Sequence, residues 1–204
     1  MARNLIGNVY PSDDYLHQRC APAGFGFGAA ECVFPPDADA DRIDKVGFFQ
    51  CTKGTPNENE NWYVIPLIHM KGVYEHQIAI RVVDGCRAER TMVNGNWGAW
   101  GWVNPPLSHS VEYRTTERYM DKPVYTMVYS FGKMPNATTK SVAHGIPVVT
   151  PVCCSGQYGN TQTIPGITSA GETKVSFDKT NVYINSTTDL SAHNAYVQLW
   201  YTKT

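Results

Sequence analysis

Charge is scarce in this chain. Of its 204 residues only 17% are Asp, Glu, Lys or Arg, and 17 basic residues nearly balance 18 acidic ones, for a formal net charge of −1. So even a balance gives no electrostatic footprint for nucleic acid, which is excluded as an expected partner. No basic run favours an anionic membrane surface. Long apolar runs are also missing. Nothing approaches the roughly 20 residues of a membrane span, and Met1 to Gly7 lack the apolar centre of a secretory signal. The expectation is a chain made and folded in a cytoplasm, without membrane insertion.

Several chemical signatures are absent as well. The six cysteines are Cys20, Cys32, Cys51, Cys86, Cys153 and Cys154, and no two have C-x-x-C spacing, which argues against zinc. In a cytoplasm they are expected as free thiols. Cys153 and Cys154 are adjacent, so on a strand they face opposite ways. Gly24 to Gly28 alternate Gly and Phe without the G-x-G-x-x-G spacing of a nucleotide loop, and read as a loop packing Phe25 and Phe27. Asp37, Asp39 and Asp41 have the spacing that opens a calcium loop. Arg42 and Phe48 stand where that loop needs its Gly and its Glu, which leaves a solvated acidic turn. His69 and His76 flank Lys71-Gly72 without a third ligand. The chain has no G-x-S-x-G elbow and no internal repeat. No cofactor and no metal are expected.

What the chain does have is 17 Gly, 13 Pro and 12 Tyr, a composition of strands joined by turns. The expected fold class is all-β. Strands are predicted at Val46 to Cys51 and at Trp62 to Met70, the latter apolar on both faces and read as central, with Pro66 marking an edge or bulge. Further strands run from Glu75 to Val83 and Cys86 to Val93, joined at Asp84-Gly85, a strong hairpin signal. Asn104-Pro105-Pro106 reads as a boundary, giving domains 1–106 and 107–204. In the second, Val111 to Arg114 reads as a short strand. In Lys122 to Phe131, Tyr125, Met127, Tyr129 and Phe131 share the more apolar face, and Val124, Thr126, Val128 and Ser130 share the other. Val175 to Phe177 and Val182 to Ile184 form a hairpin, and Ala195 to Thr202 closes the chain. Residues 155–171 and 185–194 read as two long polar loops, places where function concentrates. They carry the candidate binding residues Gln157, Tyr158, Asn160, Gln162, His193 and Asn194. Tyr offers an apolar face to a sugar, and amides offer paired donors and acceptors.

Two stretches carry family resemblances. Asp121 to Tyr125, Ser130 to Gly132, Met134 to Asn136, Thr138 to Lys140, Ala143 to Ile146 and the stretch from Val197 to Thr204 resemble receptor-binding domains of phage tail fibres and tail-derived particles. Trp200 stands where those domains carry an acidic residue. Gln77 to Ala79, Asn94-Gly95, Trp97, Trp100 and Trp102 resemble the pyocin knob module. Arg87 to Arg90 replace that module's aromatic-bearing strand. By themselves three such Trp are either a sugar-stacking platform or packed core residues; the knob resemblance implies the packed end of a domain.

Together the resemblances imply a knob-like β domain followed by a small β-sandwich-like receptor-binding domain. They imply a homotrimer in a virion tail fibre, touching other tail proteins and a bacterial cell-surface glycan. Two other functions stay open. One is a structural adaptor that binds another virion protein. The other is a glycan-degrading tail enzyme, which would need two carboxylates flanking the scissile bond. After Pro106 the acidic residues are few, Glu112, Glu117, Asp121, Glu172, Asp178 and Asp189, and none lies beside Trp or Tyr in a way that suggests a shaped sugar cleft, so no catalytic residue is assigned.

Overall fold

The computed structural model describes residues 33–147, 150–159, 162–168 and 171–203. Gly24 to Gly28, Cys20, Cys32 and Asn160 lie outside the described residues. The fold is all-β, with two short 3-10 turns at Pro36–Ala38 and Ala40–Arg42. The chain divides into two compact units, one up to Trp100 and one from Gly101.

The first unit is an antiparallel meander of β1 (Phe49–Cys51), β2 (Trp62–Met70), β3 (Tyr74–Arg81) and β4 (Arg87–Val93), with β5 (Asn96–Trp97) folded back on β4. Asp84 shapes the β3–β4 turn: its carboxylate accepts from Arg81 Nε (2.9 Å) and from the Cys86 amide (3.1 Å), and Gly85 supplies a left-handed φ of 72°. β2 departs from the expectation of burial on both faces. Trp62, Val64 and Pro66 point inward, whereas Tyr63 and Leu67 are exposed. Pro66 is tolerated because β1 pairs no further than Val64, leaving β2 an edge on that side.

The second unit is built of two sheets. The larger runs in the order β6 (Gly101–Trp102), β7 (Glu112–Tyr119), β8 (Lys122–Lys133), β15 (Asn194–Thr202), β10 (Thr150–Tyr158), β11 (Gln162–Ile164). The smaller runs β12 (Gly166–Thr168), β13 (Gly171–Phe177), β14 (Asn181–Ser186), β9 (Thr139–Ala143). All pairs are antiparallel except β6 with β7. The core lies between the sheets. Met127 and Phe131 of β8 and Val197, Leu199 and Tyr201 of β15 meet Val182 and Ile184 of β14. The face of β8 expected to be the more apolar is the one that packs there, with Tyr125 and Tyr129 lining the same cluster.

The polar stretch 155–171 is not one long loop. It contains the end of β10 and the strands β11 and β12. Along the end of β10 the side chains alternate across the sheet, with Ser155 and Gln157 exposed and Tyr158 buried. Cys51, Cys86, Cys153 and Cys154 are free thiols. Cys153 is exposed while Cys154 packs against the core, as their adjacency on a strand requires. Burial pushes the Cys51 thiol up to about 12, with Asp39 adding to the effect, so it stays protonated.

Candidate binding surface

The residues from Met134 to Ile146 help form the frame of the second unit. His144 is buried, and the hydrogen-bond pattern places its proton on Nε2, facing the Asp178 carbonyl at 3.2 Å. Its Nδ1 accepts from the Ile146 amide (3.0 Å), and its ring meets Phe177 edge-on. The Tyr129 hydroxyl donates to the Ala143 carbonyl (2.8 Å), tying β8 to the end of β9. Met134 is buried and its amide donates to the His193 carbonyl (2.9 Å). Leu190 donates to the Pro135 carbonyl (3.1 Å) and Ala137 to the Thr188 carbonyl (3.0 Å). These bonds fix the segment 187–193 against the turn after β8. Within that segment Asp189 accepts from the amide and hydroxyl of Ser191, which holds its carboxyl below the usual range.

On this frame stand the residues singled out from the sequence. Tyr158 pairs with Ala195 of β15 and with Gln162 of β11, so the end of β10 and the beginnings of β11 and β15 converge. Gln162, His193 and Asn194 are exposed at that end of the sheet. Gln157 is exposed one residue earlier on β10. Tyr158 belongs to the core instead, with 6% of its surface exposed, so it has almost no ring face to offer a ligand. Its ring centroid lies 5.8 Å from that of His193, which makes it the support on which the exposed imidazole rests. Chemically the end of the sheet offers amide donors and acceptors and one imidazole. Sequence reasoning passed over Tyr196 and Gln198, which alternate with Val197 and Leu199 and point away from the core. The period of two along Ala195 to Thr202 is the signal that finds them.

In the first unit the Trp cluster is organised by a residue that sequence reasoning also missed. Arg90 lies on β4 between the inward-facing Ala88 and Met92 and is 7% exposed. Its guanidinium carbon is 4.3 Å from the ring centroid of Trp97 and 4.4 Å from that of Trp100. Its Nε and one terminal nitrogen donate to Gln77 Oε1 (2.9 and 2.7 Å), and it pairs with Asp41. Gln77 in turn donates to the Ala40 carbonyl at 2.7 Å. Burial lowers the Arg90 pKa and Asp41 opposes that, so the guanidinium keeps its charge. The aspartates of the acidic turn are thereby engaged. Asp41 meets Arg90, Asp37 meets Arg42, and Asp39 accepts from the Asp41 amide (3.0 Å). Trp102, in the second unit, packs edge-on against Tyr113 at 5.7 Å.

No family model matches this chain, and no curated protein does. Among solved structures it is similar to the selenomethionine structure of an N-truncated R2-type pyocin tail fibre, at 9% identity over 82% of this chain and 95% of that one, with a TM-score of 0.30. It is also similar to a C-terminal fragment of the P. aeruginosa R1 pyocin fibre, at 8% identity over 79% of this chain and 64% of that one, with a TM-score of 0.28. The corresponding R2 fragment gives 8% identity, 82% and 65% coverage, and a TM-score of 0.30. The chain thus spans just under two thirds of these two longer fragments.

Proposed function

We propose that this chain is a receptor-binding part of a phage tail fibre or tail-like particle, whose second unit attaches without catalysis to a bacterial surface glycan or another envelope component. The observation that carries the reading is the division of labour in the second unit. The residues that resemble tail-fibre domains, among them Met134 and His144, are buried and hydrogen-bonded into the frame. The exposed amides and His193 stand on the turns and strand ends which that frame fixes. A constant frame carrying an exposed polar rim is how a family of adhesins changes its receptor without changing its fold.

Two of the six acidic residues weighed for catalysis are engaged in structural bonds, which supports a non-catalytic role for them. Glu112 accepts from the Tyr201 hydroxyl and from Lys203 Nζ (2.5 Å). Asp178 is occupied by the amides of Thr180 and Asn181 (both 2.7 Å) and by the Tyr183 hydroxyl, which hold it well below the carboxylate range.

A fluorescent fusion of the protein is expected to label a susceptible bacterium in a panel of candidate hosts, and the Gln162→Ala/His193→Ala variant to label it less. Release of reducing sugar from host polysaccharide, abolished by an acidic-residue variant, would replace this reading with the enzyme. The adaptor reading draws on a different observation. In the first unit Val46, Leu67 and Tyr74 are exposed around an open, largely apolar groove of about 570 Å³. Tight capture of another virion protein, with no host labelled, would favour it.

Single adhesive sites of this kind bind weakly, and a homotrimer would multiply them through effective concentration. Multi-angle light scattering should therefore give the mass of three chains. A stable monomer at micromolar concentration would remove the trimer for this chain.

A further inference from the structure

The larger sheet of the second unit has one face in the core. On its other face β15 presents Tyr196 and Gln198, both half-buried. Register places Gln157 opposite Tyr196 and Ser155 opposite Gln198 on β10, and Thr163 of β11 opposite Gln157. On the far side Val128 of β8 lies opposite Gln198. These residues line an open groove of about 280 Å³. We infer that this groove is a subsite for an uncharged pyranose ring, seated against Tyr196 and held by the Gln157 and Gln198 amides. The inference rests on the proposed attachment to a surface glycan and gives that attachment a place and a ligand chemistry.

Three properties of the groove point to that ligand. The first is the fixed aromatic ring. Tyr196 is held by His109, whose ring centroid is 4.5 Å away at 56°. His109 is itself anchored, because it bridges to Val128 and the next amide, Ser110, donates to the Val128 carbonyl at 2.9 Å. A ring already ordered loses little freedom on binding, and its apolar face suits the C–H side of a sugar. The second is the polar complement. Gln198 Nε2 donates to Thr126 Oγ1 (3.1 Å), which fixes the amide and turns its Oε1 into a directed acceptor. Gln157 is an exposed amide with both donors and an acceptor, and Ser155 and Thr163 add hydroxyls. Donors and acceptors beside an aromatic ring match a molecule whose rim is all hydroxyl.

The third property is charge. The lining is Val, Ser, Gly, Gln, Thr and Tyr, with no cation and no carboxylate. A sugar acid placed here would lose water from its carboxylate and find no ion to replace it. The volume lies just under the roughly 300–1,000 Å³ of small-molecule pockets, which fits a sugar ring better than a larger organic ligand.

The test is amide shift mapping by NMR on the intact protein, titrated with methyl glucoside, methyl galactoside, N-acetylglucosamine and glucuronate. At least one neutral sugar should shift the amides of Gln157, Tyr196 and Gln198, while glucuronate binds about tenfold more weakly or not at all. Gln157→Ala/Thr163→Ala changes exposed side chains only, so it should leave the melting curve unchanged and weaken the neutral sugar by about tenfold. Shifts confined to His193 and Asn194, equal binding of glucuronate, or no shift with any neutral sugar would overturn the subsite. Host labelling that persists undiminished in the double variant would likewise overturn the subsite and leave the attachment reading standing. Sugar shifts mapped to the groove, with no host labelled by the intact protein, would support the subsite and remove the attachment reading.

Discussion

Arg90→Ala is expected to destabilise the first unit by about 3 kcal/mol, the scale of losing one partner from a buried charged network. The loss has three parts. Gln77 Oε1 loses both of its donors in a fully buried position. Trp97 and Trp100 lose the cation and the flat packing surface between 4 and 5 Å from their centroids. Asp41 loses its partner but is half exposed, so its share is the smallest. Urea unfolding followed by tryptophan fluorescence measures this, with Trp62, Trp97 and Trp100 reporting on the first unit. Arg90→Lys retains the charge but not the planar fork, and should recover only part of the stability. A cost for the alanine variant within about 0.5 kcal/mol would mean that the cluster is a surface feature.

Gly156→Ala should cost the second unit about 2 kcal/mol, as an overpacked site does. A Cβ there would lie 2.5 Å from the Tyr196 carbonyl oxygen and 3.3 Å from Val197 Cα, both backbone atoms of the paired strand. No side-chain rotation relieves such a contact, so β10 and β15 must separate. The consequence reaches the groove, because Gly156 lines it between Ser155 and Gln157. A lowered urea midpoint, with weaker sugar-induced shifts at Tyr196, is the expected pair of results. An unchanged midpoint would show that the two strands have room to part.

The sequence was most legible where one face of a strand is plainly apolar. In β8 the row Tyr125, Met127, Tyr129 and Phe131 is directed to the core as the period of two requires. The Asp84-Gly85 turn and the hairpin around Asp178 were readable because turn residues separate clear strand runs. It was least legible where the inward residues are small or weakly apolar. Along β10 they include Cys154, Gly156 and Tyr158, beside Ser155 and Gln157 facing water, and no alternation of hydrophobicity betrays the strand. Arg90 was hidden for a related reason. A charged residue reads as solvent-facing, and only its position between Ala88 and Met92 says otherwise. In the candidate surface, Gln162, His193 and Asn194 do come together at one end of the sheet. Tyr158 went to the core because aromatic composition does not tell which face of a strand a ring is on.

β15 lies between β8 and β10, and its residues Ala195, Val197, Leu199 and Tyr201 are completely buried. A ribosome delivers β8 and β10 long before it delivers β15. Until then each of those strands waits with an unpaired edge and half a core, the condition in which nascent β proteins associate with one another. Closure of the sandwich is therefore a late event dominated by distant contacts, which makes it slow as well as cooperative. Because the same strand supplies both the core row and the outward Tyr196 and Gln198, a chain interrupted before residue 194 gains neither. The outward groove and the folded scaffold arrive in one step, so a fragment released early from synthesis has neither.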